Sequence, residues 1–287
     1  MRPYIIFIFV STLVLYGISP ASRALDLQLK GKTALVTGST MGIGYATAKA
    51  MLAEGMTVII NSRSKEGNDK AIAALKKETG REPMSIVADV STPEGTDKVI
   101  QAFPDVDVLV NNVGRFIPKA FEQTTDEDWY ESFNLNVMSG VRLSRHYISG
   151  MKARNWGRII FISSESALQI PPESVQYGMT KAAQIAIARG LAETVAGTGV
   201  TVNSILPGPT RSPDDPRSEQ LKKFMGVNTN EELEEKFFKT FRPTSLIKRF
   251  ALPDEVASLI VYVASPLSSA TTGAALRVDG GVVKSAF

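Results

Sequence analysis

Thr33-Ala34-Leu35-Val36-Thr37-Gly38-Ser39-Thr40-Met41-Gly42-Ile43-Gly44 is the stretch that decides the fold. A short β-branched apolar run enters a turn containing three glycines, and an amphipathic segment, Ile43–Glu54, follows directly. Glycines let the backbone turn tightly and come close to a pyrophosphate, whose charge is favoured by the amides and dipole at a helix N-terminus. Alone, such a turn can be merely a tight turn. Placed between a strand and a helix, it reads as the opening unit of a dinucleotide-binding domain.

Outward from this unit the same rhythm repeats. Strands are predicted at Thr33–Thr37, Thr57–Asn61, Met84–Ala88, Val106–Val110, Arg158–Ile162, Thr201–Ile205 and Ala275–Val278. Helices are predicted at Ile43–Glu54, Gly67–Thr79, Pro93–Phe103, Asp126–Ala153, Gln176–Ala196 and Pro253–Ala264. Alternating short apolar runs and amphipathic segments are the signature of βα units on a parallel sheet, and right-handed crossovers place helices on both faces. The fold class expected is therefore α/β, a doubly wound parallel seven-stranded sheet of Rossmann type. No linker, composition break or repeat divides it, so residues 25–287 read as a single domain.

Composition narrows the chemistry. The 287 residues contain no cysteine, which excludes disulfides, thiolate metal sites and a cysteine nucleophile. One histidine, His146, leaves almost nothing for a histidine-based triad or metal centre, and no metal site is expected. Basic and acidic residues number 32 and 29, with the basic pairs scattered, so nucleic-acid binding is not indicated.

Residues 1–24 pose a separate question. Met1-Arg2-Pro3, an apolar run from Tyr4 to Ile18, and Ser22-Arg23-Ala24 have the layout of a secretory signal peptide. The run is shorter than the roughly 18 to 20 residues of a membrane span. A chain whose translation begins at Leu25, a few residues before the first strand, is the other reading. Cytoplasmic location is the expectation, with export or anchoring through residues 1–24 as alternatives.

One stretch, residues 209–250, departs from the βα rhythm. A structureless loop of that length would be unusual in a compact domain. Leu221, Phe224 and Met225, then Leu233, Phe237 and Phe241, fall at helical spacing and predict two short helices. The segment is either extra packing or a subunit contact, or a lid over a substrate pocket at the carboxyl end of a strand. Phe224, Met225, Phe237 and Phe238 hint at an apolar or amphipathic substrate, although they could equally form the lid's own core.

The second strand ends in Asn61-Ser62-Arg63, where NAD-binding domains carry an acidic residue for the adenosine ribose. Ser62 and Arg63 offer a hydroxyl and a guanidinium suited to a 2′-phosphate, which favours NADP(H) over NAD(H). The bland alternative is that Arg63 is a solvated loop charge. At the chemistry end, Tyr177 and Lys181 stand at i, i+4 on one helix face. An ammonium beside a phenol favours the phenolate and lowers its pKa from about 10. A tyrosine and lysine at this spacing are common and usually structural. Ser163-Ser164, at the end of the preceding strand, adds a hydroxyl able to bind the carbonyl oxygen that Tyr177 would protonate.

With these residues in place, the chain from Lys30 onward resembles the short-chain dehydrogenase/reductase family. Matching motifs run in order: Thr37-Gly38 with Gly42-Ile43-Gly44, Asn111-Asn112-Val113-Gly114, Ser164 with Tyr177 and Lys181, and Pro207-Gly208. The closing Val278-Asp279-Gly280-Gly281 is similar to the branch containing ketoacyl-carrier-protein reductases. The resemblance implies a catalytic set of Asn136, Ser164, Tyr177 and Lys181. Tyr177 would be the general acid in reduction, Ser164 would polarise the carbonyl, and Lys181 would lower the tyrosine pKa and bind the nicotinamide ribose. Asn136 would hold a water for a proton relay.

It further implies that Gly38, Thr40, Met41, Gly42, Ile43 and Gly44 cradle the pyrophosphate. Asp89 and Val90 would contact the adenine, Asn112 and Gly114 would line the adenosine ribose, and Pro207, Gly208, Thr210 and Ser212 would hold the nicotinamide end. Two departures stand out: Val113 replaces the usual alanine, and Met41 sits where many NADP-using members carry arginine. The resulting expectation is an NADP-dependent oxidoreductase acting on a small-molecule carbonyl or secondary alcohol, working as a homo-oligomer, most simply a tetramer. His146 would then lie at the surface or a subunit interface. The alternative from another class is a cofactor-bound regulatory or scaffold subunit without turnover.

Overall fold

The computed structural model describes residues 25–212, 215 and 218–286; the leader expected at residues 1–24 lies outside them. The strands are β1 (Thr33–Val36), β2 (Thr57–Ser62), β3 (Met84–Val87), β4 (Val108–Asn111), β5 (Gly157–Ile162), β6 (Val200–Pro207) and β7 (Ala275–Val278). They form one parallel sheet in the order β3-β2-β1-β4-β5-β6-β7. The chain starts at the middle, winds to one edge, then returns to β4 and winds to the other. That reversal leaves a crevice beyond the carboxyl ends of β1 and β4, the place where open α/β sheets bind ligands.

The helices are α1 (Gly42–Ala53), α2 (Lys65–Thr79), α3 (Pro93–Ala102), α4 (Asp126–Phe133), α5 (Ser139–Ala153), α6 (Val175–Thr194), α7 (Ser218–Met225), α8 (Asn230–Thr240) and α9 (Pro253–Ala264). Their ends follow local chemistry. Ser64 caps α2 by accepting from the Gly67 amide at 3.1 Å, and Gly80 ends it in the left-handed region at φ 70°. Thr92 caps α3, with Pro93 in its first turn.

Two apolar cores cover the sheet's two faces. Val36, Val58, Ile60 and Val110 pack with Met51 and Leu52 of α1, Leu75 of α2 and Ile260 of α9. Leu35, Ile59, Leu109 and Phe161 pack with Val99 of α3, Leu143 and Tyr147 of α5 and Ala188 of α6. Burial on both faces explains why the central strands read as continuous apolar runs.

The helix expected over Asp126–Ala153 is not continuous. A π turn at Asn134–Met138 separates α4 from α5. Apolar periodicity cannot reveal one residue inserted into a helical ladder, and such insertions tend to mark functional positions. Val106, expected in the fourth strand, precedes β4 yet is buried beside it.

The segment at residues 209–250 contains both expected short helices, α7 and α8. Its ends are stitched together, since the Ala251 amide donates to the Pro209 carbonyl and the Arg211 amide to the Ala251 carbonyl, each at 2.9 Å. Phe237, Phe238, Phe241 and Phe250 stack with ring centroids 4.8 to 5.6 Å apart. Phe238 and Met225 are buried and Phe224 is exposed. Phe237, Phe238 and Met225 therefore serve the segment's own packing, while Phe224 stays exposed. Among the described residues no helix is long and apolar enough to cross a membrane.

Candidate active site

The glycine turn sits at the crevice. Gly38 and Gly42 have φ of 61° and 57°, a region that side chains disfavour. A Cβ on Gly44 would stand 2.4 Å from the Gly38 carbonyl oxygen and 2.5 Å from Asn112 Nδ2, so only glycine lets α1 start this close to β1. Met41, exposed at the helix entry, gives α1 no side-chain cap. The first amides of α1 thus keep their donors for an anionic ligand, the chemistry a pyrophosphate requires. Thr40 is half-buried beside them, and Ile43 packs toward the core.

Asn112 holds the turn in shape. Its Nδ2 donates to the carbonyls of Thr37 and Gly38 at 2.9 Å each. Its side chain is thereby committed to the glycine turn, and any contact it makes with a ribose comes in addition. Ser62 is similarly engaged: its hydroxyl lies 2.7 Å from Asn68 Oδ1 and 3.0 Å from the Ser64 carbonyl, and it accepts from the Ser64 amide. Arg63 is two-thirds exposed, with Nη1 3.8 Å from Asp89 Oδ2. It is the freer of the two groups expected to meet a 2′-phosphate. Burial raises the Asp89 pKa, but hydrogen bonds from the Ser91 hydroxyl and amide, together with Arg63, more than offset it and hold it below its ordinary value. The Val90 side chain belongs to the core beside Leu35 and Ile59.

At the chemistry end the two adjacent serines separate by role. Ser163 Oγ donates to the Lys181 carbonyl at 2.7 Å and so ties α6 to the end of β5. Ser164 Oγ accepts from the Ser166 amide at 3.1 Å and also engages the Tyr177 phenol. Tyr177 lies in the first turn of α6 and stacks edge-on against Phe116, with centroids 5.1 Å apart. Lys181 Nζ lies 5.5 Å from the centre of the tyrosine ring and donates to the Ile162 carbonyl at 2.8 Å. Gly114 backs it, since a Cβ there would stand 3.0 Å from Nζ.

The electrostatics differ from the simple pairing expected. Burial pushes the Tyr177 phenol up to about 12, with the Ser164 hydroxyl working against it, and burial alone pushes Lys181 down to about 7. A dry environment penalises both charges. The site of the free protein therefore holds a phenol that keeps its proton and an amine whose charge is easily lost. Asn136, on the π turn, accepts the Arg115 amide at 2.9 Å and donates to Thr180 Oγ1 at 3.0 Å, while its main-chain carbonyl accepts from Gln184.

Pro207 ends β6, and the Gly208 amide donates to the Val278 carbonyl at 3.2 Å. Thr210 Oγ1 donates back to the Gly208 carbonyl at 2.9 Å, and the Ser212 carbonyl accepts from the Asp215 amide. These residues lead from the end of β6 into the segment at residues 209–250. The sequence reading missed a pair at the other end of that segment. Arg242 Nε donates to Glu165 Oε1 at 2.8 Å, and Glu165 is the residue after Ser164. The second carboxylate oxygen, Glu165 Oε2, is buried without a hydrogen-bond partner among the described residues. Nothing in a linear pattern pairs residues 77 positions apart; the only signal was a charged residue inside an otherwise apolar and hydroxyl-rich strand end.

Comparison with known proteins agrees with this geometry. Residues 38–283 match the family described as Enoyl-(acyl carrier protein) reductase. The chain is 44% identical to the uncharacterized oxidoreductase YvaG of Bacillus subtilis, over 92% of this chain and all of that protein. It is 32% identical to the 3-oxoacyl-[acyl-carrier-protein] reductase FabG of Vibrio harveyi, over 89% of this chain and 99% of that one. Among solved structures, the L-sorbose reductase of Gluconobacter frateurii in complex with NADPH and L-sorbose superposes with a TM-score of 0.84 at 33% identity, covering 91% of this chain and all of the other.

Proposed function

The chain belongs to the short-chain dehydrogenase/reductase family, in its ketoacyl-reductase-like branch, and is an oxidoreductase; from that premise we propose that it reduces a small-molecule ketone with NADPH, using Tyr177 as the proton donor. The observation that carries this reading is the meeting of Ser164, Tyr177 and Lys181 beside the glycine turn. NADPH would supply the hydride from nicotinamide C4. The chain's own residues do the rest. The Ser164 and Tyr177 hydroxyls bind the carbonyl oxygen and polarise it, and the Tyr177 proton passes to that oxygen as negative charge develops there. A phenol raised by burial keeps its proton until the carbonyl oxygen becomes basic enough to take it.

Arg63, exposed beside Asp89, supports the 2′-phosphorylated cofactor. The sorbose reductase likeness, with NADPH bound in that enzyme, points the same way. For the substrate, the L-sorbose bound by that same structural neighbour supports a hydroxyl-bearing ketone. That favours a ketose or similar hydroxyketone over a plain acyl chain. A homo-oligomer built partly through α5 and α6, and a cytoplasmic setting where NADPH is regenerated, complete the reading.

The test is NADPH oxidation, followed by absorbance, across L-sorbose, a diketone, an acetoacetyl thioester, a sugar lactone and a ring ketone. Turnover of the ketose above the thioester supports the reading. Tight NADPH binding with no turnover of any member would replace it with a regulatory or scaffold role.

A further inference from the structure

On the interior side of the site stands a residue that no motif names. Gln184 follows Lys181 by three positions on α6 and is 1% exposed. Its Nε2 donates to the Asn136 main-chain carbonyl at 2.5 Å, and its Oε1 accepts from Lys181 Nζ at 3.2 Å. The partners dictate which way the amide faces. An ammonium only donates and a carbonyl only accepts, so the oxygen must point at Lys181 and the nitrogen at Asn136.

The lysine's three donors can then be assigned. In the charged form one goes to the Ile162 carbonyl and one to Gln184 Oε1, which leaves a third for a ligand. We propose that Gln184 is a positioning residue for the reaction: its carboxamide ties the Lys181 nitrogen to the π-turn carbonyl of Asn136 and so holds that nitrogen in place beside Tyr177. An amide suits this task because it satisfies a donor and an acceptor at once. A water molecule in the same place would make the same two contacts.

The ionisable groups bearing on the unit are few. Tyr177 faces Lys181 from the same helix, and Glu165 and Arg242 act on Tyr177 from beyond it. Burial is the sole cause of the lysine's depressed pKa, and no carboxylate offsets it. A carboxylate introduced at position 184 would therefore be felt directly.

The proposal rests on the reading of Tyr177 and Lys181 as the proton-handling pair, and the test separates the two. In the full chain labelled with ¹³C-lysine, the Lys181 Cε resonance, assigned by its loss in Lys181→Met, is titrated for the wild type, Gln184→Glu and Gln184→Met. Gln184→Glu should raise the Lys181 midpoint by about 1 to 3 pH units, the usual effect of a contacting opposite charge. Gln184→Met, which keeps the length but removes both polar partners, should leave it at or below the wild-type value. In turnover, Gln184→Met should lose kcat on the order of 10-fold to 100-fold, as expected of a displaced catalytic group. Gln184→Ala should lose less, because water can enter and take over both contacts. A merely structural role predicts the opposite order, with the alanine cavity the worse defect, and that order would overturn the proposal. So would an unmoved Lys181 midpoint in Gln184→Glu. A moved midpoint in a wild-type protein that turns over no carbonyl would leave the contact standing and defeat the functional reading instead.

Discussion

Arg242 donates from Nε to Glu165 Oε1 across 2.8 Å, which fixes the end of the segment at residues 209–250 to the residue next to Ser164. Both side chains are largely buried, at 12% and 4% exposure. Burial raises the Glu165 pKa, and Arg242 counteracts that effect without cancelling it. The pair therefore links the end of the segment at residues 209–250 to the charge beside the Tyr177 phenol.

Removing one member should be worse than removing both. Arg242→Met leaves Glu165 buried without its cation and should cost about 3 to 5 kcal/mol in urea unfolding, whereas the double variant Glu165→Leu with Arg242→Met should recover most of it. The KM for the ketone should rise in both. Equal stabilities for the single variant and the wild type would show that the contact contributes nothing.

In the proposed reading cofactor choice rests on Arg63, which is exposed and only loosely held by Asp89 at 3.8 Å. A charge-assisted hydrogen bond to a 2′-phosphate contributes roughly 1.5 to 3 kcal/mol, or about tenfold to a hundredfold. Arg63→Ala should raise the KM for NADPH by that factor and leave the KM for NADH nearly unchanged. Equal losses with both cofactors, or a wild type that prefers NADH, would contradict the assignment.

Lys181 also gives a pH signature in stability. Its pKa is about 7 in the folded protein against an ordinary 10.5. Between those values the unfolded chain carries a proton that the native state lacks, so the lysine's contribution makes stability rise with pH. The destabilising effect is fully present below pH 7 and fades toward the ordinary lysine range. The stability of the cofactor-free wild type, measured relative to Lys181→Met, should therefore climb from neutral to alkaline pH and be flat on the acid side. A constant difference would mean that Lys181 titrates like a solvated lysine.

Light scattering at micromolar concentration should report a homo-oligomer, most simply a tetramer. A monomer would remove the subunit-contact role proposed for α5 and α6.

The sheet was legible because its signal is local. Val58-Ile59-Ile60 and Val108-Leu109-Val110 are apolar runs covered on both faces, and the glycine turn between β1 and α1 depends on short-range backbone geometry. Tyr177, Lys181 and Ser164 were legible because one helix and one strand end set their spacing. What the sequence hid depends on packing. The π turn at Asn134–Met138 leaves the apolar pattern of its helix almost intact. Gln184 and the Glu165 and Arg242 pair gain their roles only when separate elements meet. The direction of the Tyr177 shift could not be read from spacing: the spacing places an amine nearby, but only the fold shows the burial that raises the phenol.

The most direct test of the account is Tyr177→Phe, assayed for NADPH binding by fluorescence titration and for ketone reduction in the same preparation. Loss of the proton donor should lower kcat by a factor on the order of 10² to 10⁴, with NADPH affinity close to that of the wild type. A phenylalanine variant with near wild-type kcat would contradict the assignment of Tyr177 as the general acid.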